Sequence, residues 1–415
     1  MPGPVMETPV SSAWTRRNPA IDMLRALTMF TMIFVNDFWK VHDIPAWLDH
    51  AKFGQDFLGL ADFVYPTFIF VVGMSVPYAI ERRYAKGCSE KSTVAHILLR
   101  TLALLIMGAF ITNSEARLAP DFTLYRIGVY WFIMAAGFFC IWNDWPKDPS
   151  PRLKRWIILL RIFGIACLLF LALTFRSPRG VFNASWGILG GIGWTYLFCS
   201  ILYFFGRDNL KVLVPAWIIL LLVNLTGTPL RPELGGEAIL NFPRPNFYEG
   251  MLRILHVGNG GLASLATFGM ILSVLTEKYA HKPEGWKIVR ALAAAVLFLL
   301  AGLLAHRFWI AAKIGSTPPW ILFVAAEAIA LYTFFSFLAK RNLTGWFKLI
   351  RPAGTATLTT YLIPYISYGL ADVTGIVLPD WFTHGGLAIV NCLCFAFVII
   401  AVTGLLEKLH IKLKI

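Results

Sequence analysis

Blocks of about twenty apolar residues, separated by short polar links, run along the chain from residue 20 to residue 405, and they constrain its fold more than any other feature. A helix rises 1.5 Å per residue, so each block matches the hydrocarbon thickness of a bilayer. Lipid offers no hydrogen-bond partners, which leaves helices and closed barrels as spanning structures, and blocks without two-residue alternation argue against a barrel. The expected fold is all-α, a polytopic transmembrane helix bundle. Composition agrees, with 57% of the 415 residues hydrophobic and only 14% charged. About twelve spans are expected, at roughly 20–38, 58–80, 94–112, 122–142, 155–174, 182–205, 210–226, 255–276, 288–304, 317–338, 354–376 and 384–405.

A net charge of +14 would suggest a nucleic-acid partner in a soluble protein. Here the basic residues sit in the links, as orientation signals do, and no nucleic acid is expected. Lys and Arg in alternate links outnumber those on the other side roughly two to one, which puts both termini in the cytoplasm and the link from Phe38 to Phe57 outside. Residues 1–19 then form a cytoplasmic segment ahead of an uncleaved first span, 20–405 one membrane domain, and 406–415 a cytoplasmic tail. Cys140, Cys167, Cys199, Cys392 and Cys394 fall in apolar blocks and Cys88 in a basic link, so neither a disulfide framework nor a metal site is expected. Membrane lipids are the expected surroundings, and Gly-containing helix surfaces leave a homodimer open.

Ionisable groups within spans are costly and commonly face the bundle interior or a wet cavity. Arg25, Arg100, Arg161 and Arg290 each lie within about two turns of the cytoplasmic end. They either snorkel to headgroups or form a basic vestibule for an anionic cytosolic ligand. Arg126, in "LYRIGVYW", sits near the outer surface, where orientation bias does not explain it; buried pairing and substrate contact remain. Glu327 is about 15 Å into its span, close to the bilayer centre. The outer link 227–253, rich in Pro and Gly and holding Arg231, Glu233, Glu237, Arg244 and Glu249, is either a lid or a connector.

The stretch "FVNDFWKVHDIPAWLDHAKFGQDFLGLADFVYP" (Phe34 to Pro66) brings two histidines and five aspartates to the place where a membrane meets water. At 100° per residue, Asp22, Arg25 and Asn36 fall within about 60° of one another on the first span, as do Asp62, Pro66, Gly73 and Pro77 on the second. Each helix is expected to turn a polar or small-residue seam inward. Asn36 and Asp62 sit at nearly the same outer depth, and the link between them delivers His42 and His50 to that level. Imidazole can act as base or nucleophile, a carboxylate can fix its tautomer, and an amide can steady an oxyanion.

On these residues the chain resembles the heparan-α-glucosaminide N-acetyltransferase family of transmembrane acetyltransferases. The pieces that carry the resemblance are "AIDMLRALTMFTMIFVND" (Ala20 to Asp37), His50 and "LADFVYPTFIFVVGMS" (Leu60 to Ser75). Weaker pieces are "LYRIGVYW" (Leu124 to Trp131), "GGLASLATFGMIL" (Gly260 to Leu272) and "WIAAKIGSTPPWILF" (Trp309 to Phe323). The resemblance implies acetyl transfer from cytosolic acetyl-CoA to an amino sugar or glycan on the far side, with His50 as the catalytic imidazole, Asn36 as its amide neighbour and Asp62 as the carboxylate; whether the acceptor group is an amine or a hydroxyl, and whether His50 acts as base or takes the acetyl transiently, the sequence leaves open. It also implies Arg25, Arg126 and Lys313 as pocket residues, and for this chain a bacterial inner membrane with the catalytic link facing the periplasm. Departures include "HVGNGG" (His256 to Gly261) in place of an acidic stretch, and Ile-Ala-Ala before Lys313 without the family's asparagine. They suggest a different acceptor with the same donor.

The rival reading from the residues is a secondary transporter for a small polar or anionic solute, using Glu327, the seam of spans 1 and 2, and a helix broken at Pro364 in "TTYLIPYISYG". Its weakness is that the polar groups bunch at one mouth rather than mid-membrane.

Overall fold

The computed structural model describes Trp14 and residues 16–115, 125–178, 180–240, 251–252 and 255–415. Helices in chain order are α1 (Pro19–Asn36), α2 (Ala61–Ala85), α3 (Glu90–Ser114), α4 (Ile127–Trp142), α5 (Pro151–Thr174), α6 (Gly187–Gly206) and α7 (Leu210–Gly227). They continue with α8 (Gly261–Lys278), α9 (Glu284–Ala305), α10 (Pro318–Lys340), α11 (Phe347–Thr355), α12 (Thr357–Thr374), α13 (Asp380–Thr383) and α14 (Gly385–Lys408). Among the described residues, the strands Arg176–Ser177 and Gly180–Val181 pair antiparallel in an otherwise helical architecture.

Each expected span has a helix at its place. Eight of them, α2, α3, α5, α6, α7, α9, α10 and α14, are long and apolar enough to cross a membrane. The protein is a polytopic helical membrane protein. The remaining four, α1, α4, α8 and α12, are shorter or more polar, and α1 shows why: it carries Asp22 and Arg25 and packs against α2, α10, α11, α12 and α14, so neighbouring helices rather than lipid surround it. The opposite holds for α5, α7 and α9, whose Leu169, Leu173, Ile219, Leu222, Leu297 and Leu300 are exposed on the outside of the bundle.

Helix starts follow from local sequence. Asn18 caps α1, its Oδ1 accepting from the N–H groups of Ala20 and Ile21, and Pro19 supplies a first residue that needs no N–H partner. Ser89 and Ser150 cap α3 and α5 in the same way.

The seam on α2 has a different role from the one expected. A Cβ on Gly73 would lie 1.9 Å from the Ala266 carbonyl oxygen, and one on Gly269 would lie 2.2 Å from that of Phe70. The small residues let α2 and α8 touch backbone to backbone, so this part of the seam is a helix interface. Nor does Pro364 break its helix: α12 runs through it, and the interruption lies at Ala356, between α11 and α12. The tail does not project from the bundle, because Leu413 N–H donates to Thr359 Oγ1 at 2.9 Å and Lys414 N–H to the Trp142 carbonyl at 2.8 Å.

Candidate functional site

Two cavities enter the bundle from opposite ends. The first, about 620 Å³, opens among Arg17, Arg25, Arg82, Arg100, Arg351 and Lys412; the second, about 1610 Å³, contains His50 and Asn36 in its wall. One stripe of α1 serves both: Asp22, Arg25, Met29 and Met32 line the basic cavity, and Ile33 and Asn36 line the other. The two cavities share Ile188 and Tyr361 as lining residues.

At the histidine end, Asp62 stands in the first turn of α2 and is only 1% exposed. Its Oδ2 accepts from the N–H groups of Ala51 at 3.0 Å and Gly59 at 3.1 Å, which folds the α1–α2 link back over the helix start. Gly59 is required there, since a Cβ would lie 1.9 Å from the Asp49 carbonyl oxygen. With the link held so, His50 Nδ1 comes to 3.2 Å from Asp62 Oδ1. Lys313 Nζ approaches from the α9–α10 link, 3.0 Å from His50 Nδ1 and 3.6 Å from Asp62 Oδ1. Burial pulls the Lys313 ammonium below the ordinary lysine range, against the opposing attraction of Asp62. Thr317 Oγ1 closes the turn that carries Lys313 by bonding to the backbone of Ala312.

The imidazole has one chemical choice. Nδ1 donates its proton to Asp62, leaving Nε2 as a free base, or it accepts from Lys313, leaving the proton on Nε2. Directing the Lys313 ammonium to the carboxylate permits the first arrangement, in which His50 accepts a proton from a group in the cavity.

The rest of that cavity combines aromatic faces with carboxylates. Tyr125, Trp131, Tyr365 and Tyr368 line it beside Asp49, Glu115, Asp372 and Asp380. Arg126 lines it too, largely exposed, with Nε 3.6 Å from Asp372, whose Oδ2 also accepts from Gly128 N–H. Burial raises the Glu115 carboxyl above the usual range. His42 lies elsewhere, bonded through its backbone to Thr383 and Gly385 and with its ring 5.0 Å from that of His384.

At the basic end, Arg25 donates to Ser75 Oγ at 2.8 Å and to Asp22 Oδ1 at 3.2 Å, and Arg17 also pairs with Asp22. Arg100 stacks on Tyr196 with 4.8 Å between its guanidinium carbon and the ring centroid. The Nε atoms of Arg82 and Arg100 are buried without a hydrogen-bond partner among the described residues. Orphaned guanidinium donors in a basic cavity suit an anion bearing phosphates. Of the four arginines singled out from the sequence, only Arg25 and Arg100 line this cavity. Arg161 and Arg290 lie exposed on α5 and α9, the latter over Trp286, an arrangement that suits contact with headgroups.

Glu327 accepts from Thr67 Oγ1 at 2.7 Å and lines neither cavity. Of the outer link 227–253, Arg231 bonds to Asp56 and to the His306 carbonyl, whereas Arg244, Glu249 and Arg253 lie outside the described residues, as does Leu124 of the "LYRIGVYW" motif. Sequence reading missed the contributions of Arg351, Lys412, Ile188 and the whole of α12. The signal on α12 was there: Tyr361, Tyr365, Tyr368 and Asp372 recur at helical spacing along one face.

Fold and site together define a polytopic membrane protein with a histidine in the wall of one of two opposed cavities, backed by a carboxylate and a lysine. Residues 17–137 match the family model described as heparan-alpha-glucosaminide N-acetyltransferase, catalytic. The heparan-alpha-glucosaminide N-acetyltransferase of Mus musculus is 28% identical over 210 residues, covering 43% of this chain and 30% of its own length. That of Homo sapiens is 27% identical over 208 residues, covering 44% and 29%. The resemblance read from the motifs is thus borne out. The matched family segment carries Asn36, His50 and Asp62, while Lys313, Arg351 and Tyr361 lie beyond it. The match spans under a third of the length of these curated relatives.

Proposed function

We propose that this protein is a transmembrane acetyltransferase that moves acetyl from cytosolic acetyl-CoA to the amino group of a sugar on the opposite side. The observation that carries this reading is the pair of opposed cavities, one basic and one bearing His50, that share Ile188 and Tyr361 as lining residues. Coenzyme A is polyanionic and does not cross lipid, so its phosphates dock among Arg25, Arg82, Arg100 and Arg351 while the pantetheine arm extends toward Asn36. The relatives' names, which specify acetyl transfer to a glucosaminide, agree with this. Basic residues crowd the links at the arginine end, which supports a cytoplasmic location for that end and for both termini, with all twelve long helices spanning a bacterial inner membrane. The His50 cavity then faces the periplasm.

In the reaction, Asp62 holds the Nδ1 proton of His50, and Nε2 takes a proton from the acceptor nitrogen as that nitrogen attacks the thioester carbonyl. The acyl C–N bond forms, the C–S bond breaks, and the proton passes from His50 to the departing sulfur. Asn36 steadies the developing oxyanion. The aromatic faces and carboxylates of the outer cavity suit a sugar ring that arrives with a cationic amine, gives one proton to a cavity carboxylate and attacks as the neutral amine, with Arg126 and Lys313 contacting its polar substituents. The transporter reading gains nothing from Glu327, which stands apart from both cavities.

Purified protein given labelled acetyl-CoA and a panel of amino sugars tests the reading. His50→Ala is expected to lower acetyl transfer by about 10²-fold or more while retaining coenzyme A binding. An unchanged rate in that variant removes His50 from the mechanism, and proton-coupled uptake without acetylation would replace the enzyme reading altogether.

A further inference from the structure

Ile188 and Tyr361 line both cavities, so the basic end and the histidine end adjoin at this pair. We infer that Ile188 and Tyr361 form a neck that selects the acyl group by its width, an inference that rests on the transferase reading above.

Both walls of the neck have fixed backbones. Ile188 is the second residue of α6, whose start is pressed against α3: Gly187 has φ +53°, and a Cβ on it would lie 2.0 Å from Thr112 Oγ1. From the other side, a Cβ on Gly108 would lie 2.5 Å from the Trp186 carbonyl oxygen and 2.6 Å from Gly190 N. No space remains for α6 to move back and widen the gap. Tyr361 is buried on α12, edge to face with Tyr365 at 6.1 Å between centroids, and the tail bonds to the same turn through Thr359. Side chains therefore set the aperture, and the β-branched Ile188 has few rotamers with which to enlarge it.

An acetyl thioester is no wider than the unbranched cysteamine and β-alanyl amides behind it, so a neck that admits that end of the pantetheine arm admits acetyl. A straight butyryl chain lengthens the donor without widening it. A branched isobutyryl group is wider at the carbon next to the carbonyl and meets Ile188 and Tyr361. The neck accordingly rejects branching more than length.

The test compares kcat/KM for acetyl-, n-butyryl- and isobutyryl-CoA with an amino-sugar acceptor, using the full chain in nanodiscs. Ile188→Ala is expected to raise the isobutyryl-to-acetyl ratio about tenfold or more, with a smaller rise for n-butyryl, and Ile188→Val to move it the same way by less. Tyr361→Leu provides an independent variant from the opposite wall should Ile188→Ala fail to fold. An unchanged isobutyryl ratio in variants that still transfer acetyl overturns the neck, as does an equal rise for the straight chain. If the wild-type protein transfers no acyl group to any acceptor, the transferase reading itself falls, so the two failures are distinct.

Discussion

Asp62 does two jobs with its two oxygens: Oδ2 holds the backbone of the α1–α2 link and Oδ1 faces the imidazole. An amide at this position keeps the volume but brings an N–H₂ group toward either the link's N–H donors or His50. Asp62→Asn is therefore expected to lower kcat for acetyl transfer by about 10²-fold or more, the size expected when a base loses the group that fixes its tautomer, as measured at saturating donor. A loss confined to KM would deny Asp62 that orienting role. At this scale the sequence was unusually informative. His50, Asn36 and Asp62 lie within a short segment, so helix geometry alone brought them to one depth. Lys313 stands 263 residues from His50, and no local rule predicts that contact; only the family resemblance pointed to it.

Among elements, the link 37–60, the α7–α8 link and the α9–α10 link are fastened together by Asp56. Its Oδ1 accepts from His306 Nε2 and Ala311 N–H, each at 2.7 Å, and its Oδ2 pairs with Arg231 at 2.8 Å. Two residues beyond Ala311 comes Lys313, so this clasp seats the lysine against His50. Burial alone favours the protonated Asp56 carboxyl, but the Ala311, His306 and Arg231 contacts outweigh it and hold the carboxyl below its ordinary range. A depressed carboxyl binds fewer protons in the folded than in the unfolded state. Its stabilising effect is thus full above the unfolded pKa, about 3.9, and is lost as pH falls through the lower folded value. Asp56→Asn is expected to cost about 1–3 kcal/mol at neutral pH, and the gap in melting temperature between it and the wild-type protein should shrink as pH drops below about 4. A gap that stays constant across that window would contradict the clasp. Element existence was legible from apolar block length; what α2 packs against was not. A stripe of Gly and Pro reads alike whether it lines a channel or lets another backbone approach, and the position of α8 decided between them.

Over the whole molecule, polarity runs along the bundle axis, with arginines around one cavity and histidine, aromatics and carboxylates in the other. Under the proposed reaction this arrangement implies sidedness. In sealed proteoliposomes, acetyl-CoA supplied at the arginine end is expected to acetylate an amino sugar present only in the opposite compartment, and donor supplied with the acceptor at the histidine end should give little product. Equal rates from both sides would show that the donor does not thread the bundle.

Block length determined, from the sequence alone, an all-α membrane protein, because the bilayer fixes helix length, and the short link between two neighbouring helices kept Asn36, His50 and Asp62 close together. Tertiary structure decided which arginines share a cavity, that α12 and the tail complete its walls, and that Ile188 and Tyr361 line both cavities. Those relations join helices distant in sequence, and they follow from close packing, where a glycine at one contact sets the position of a side chain at the next.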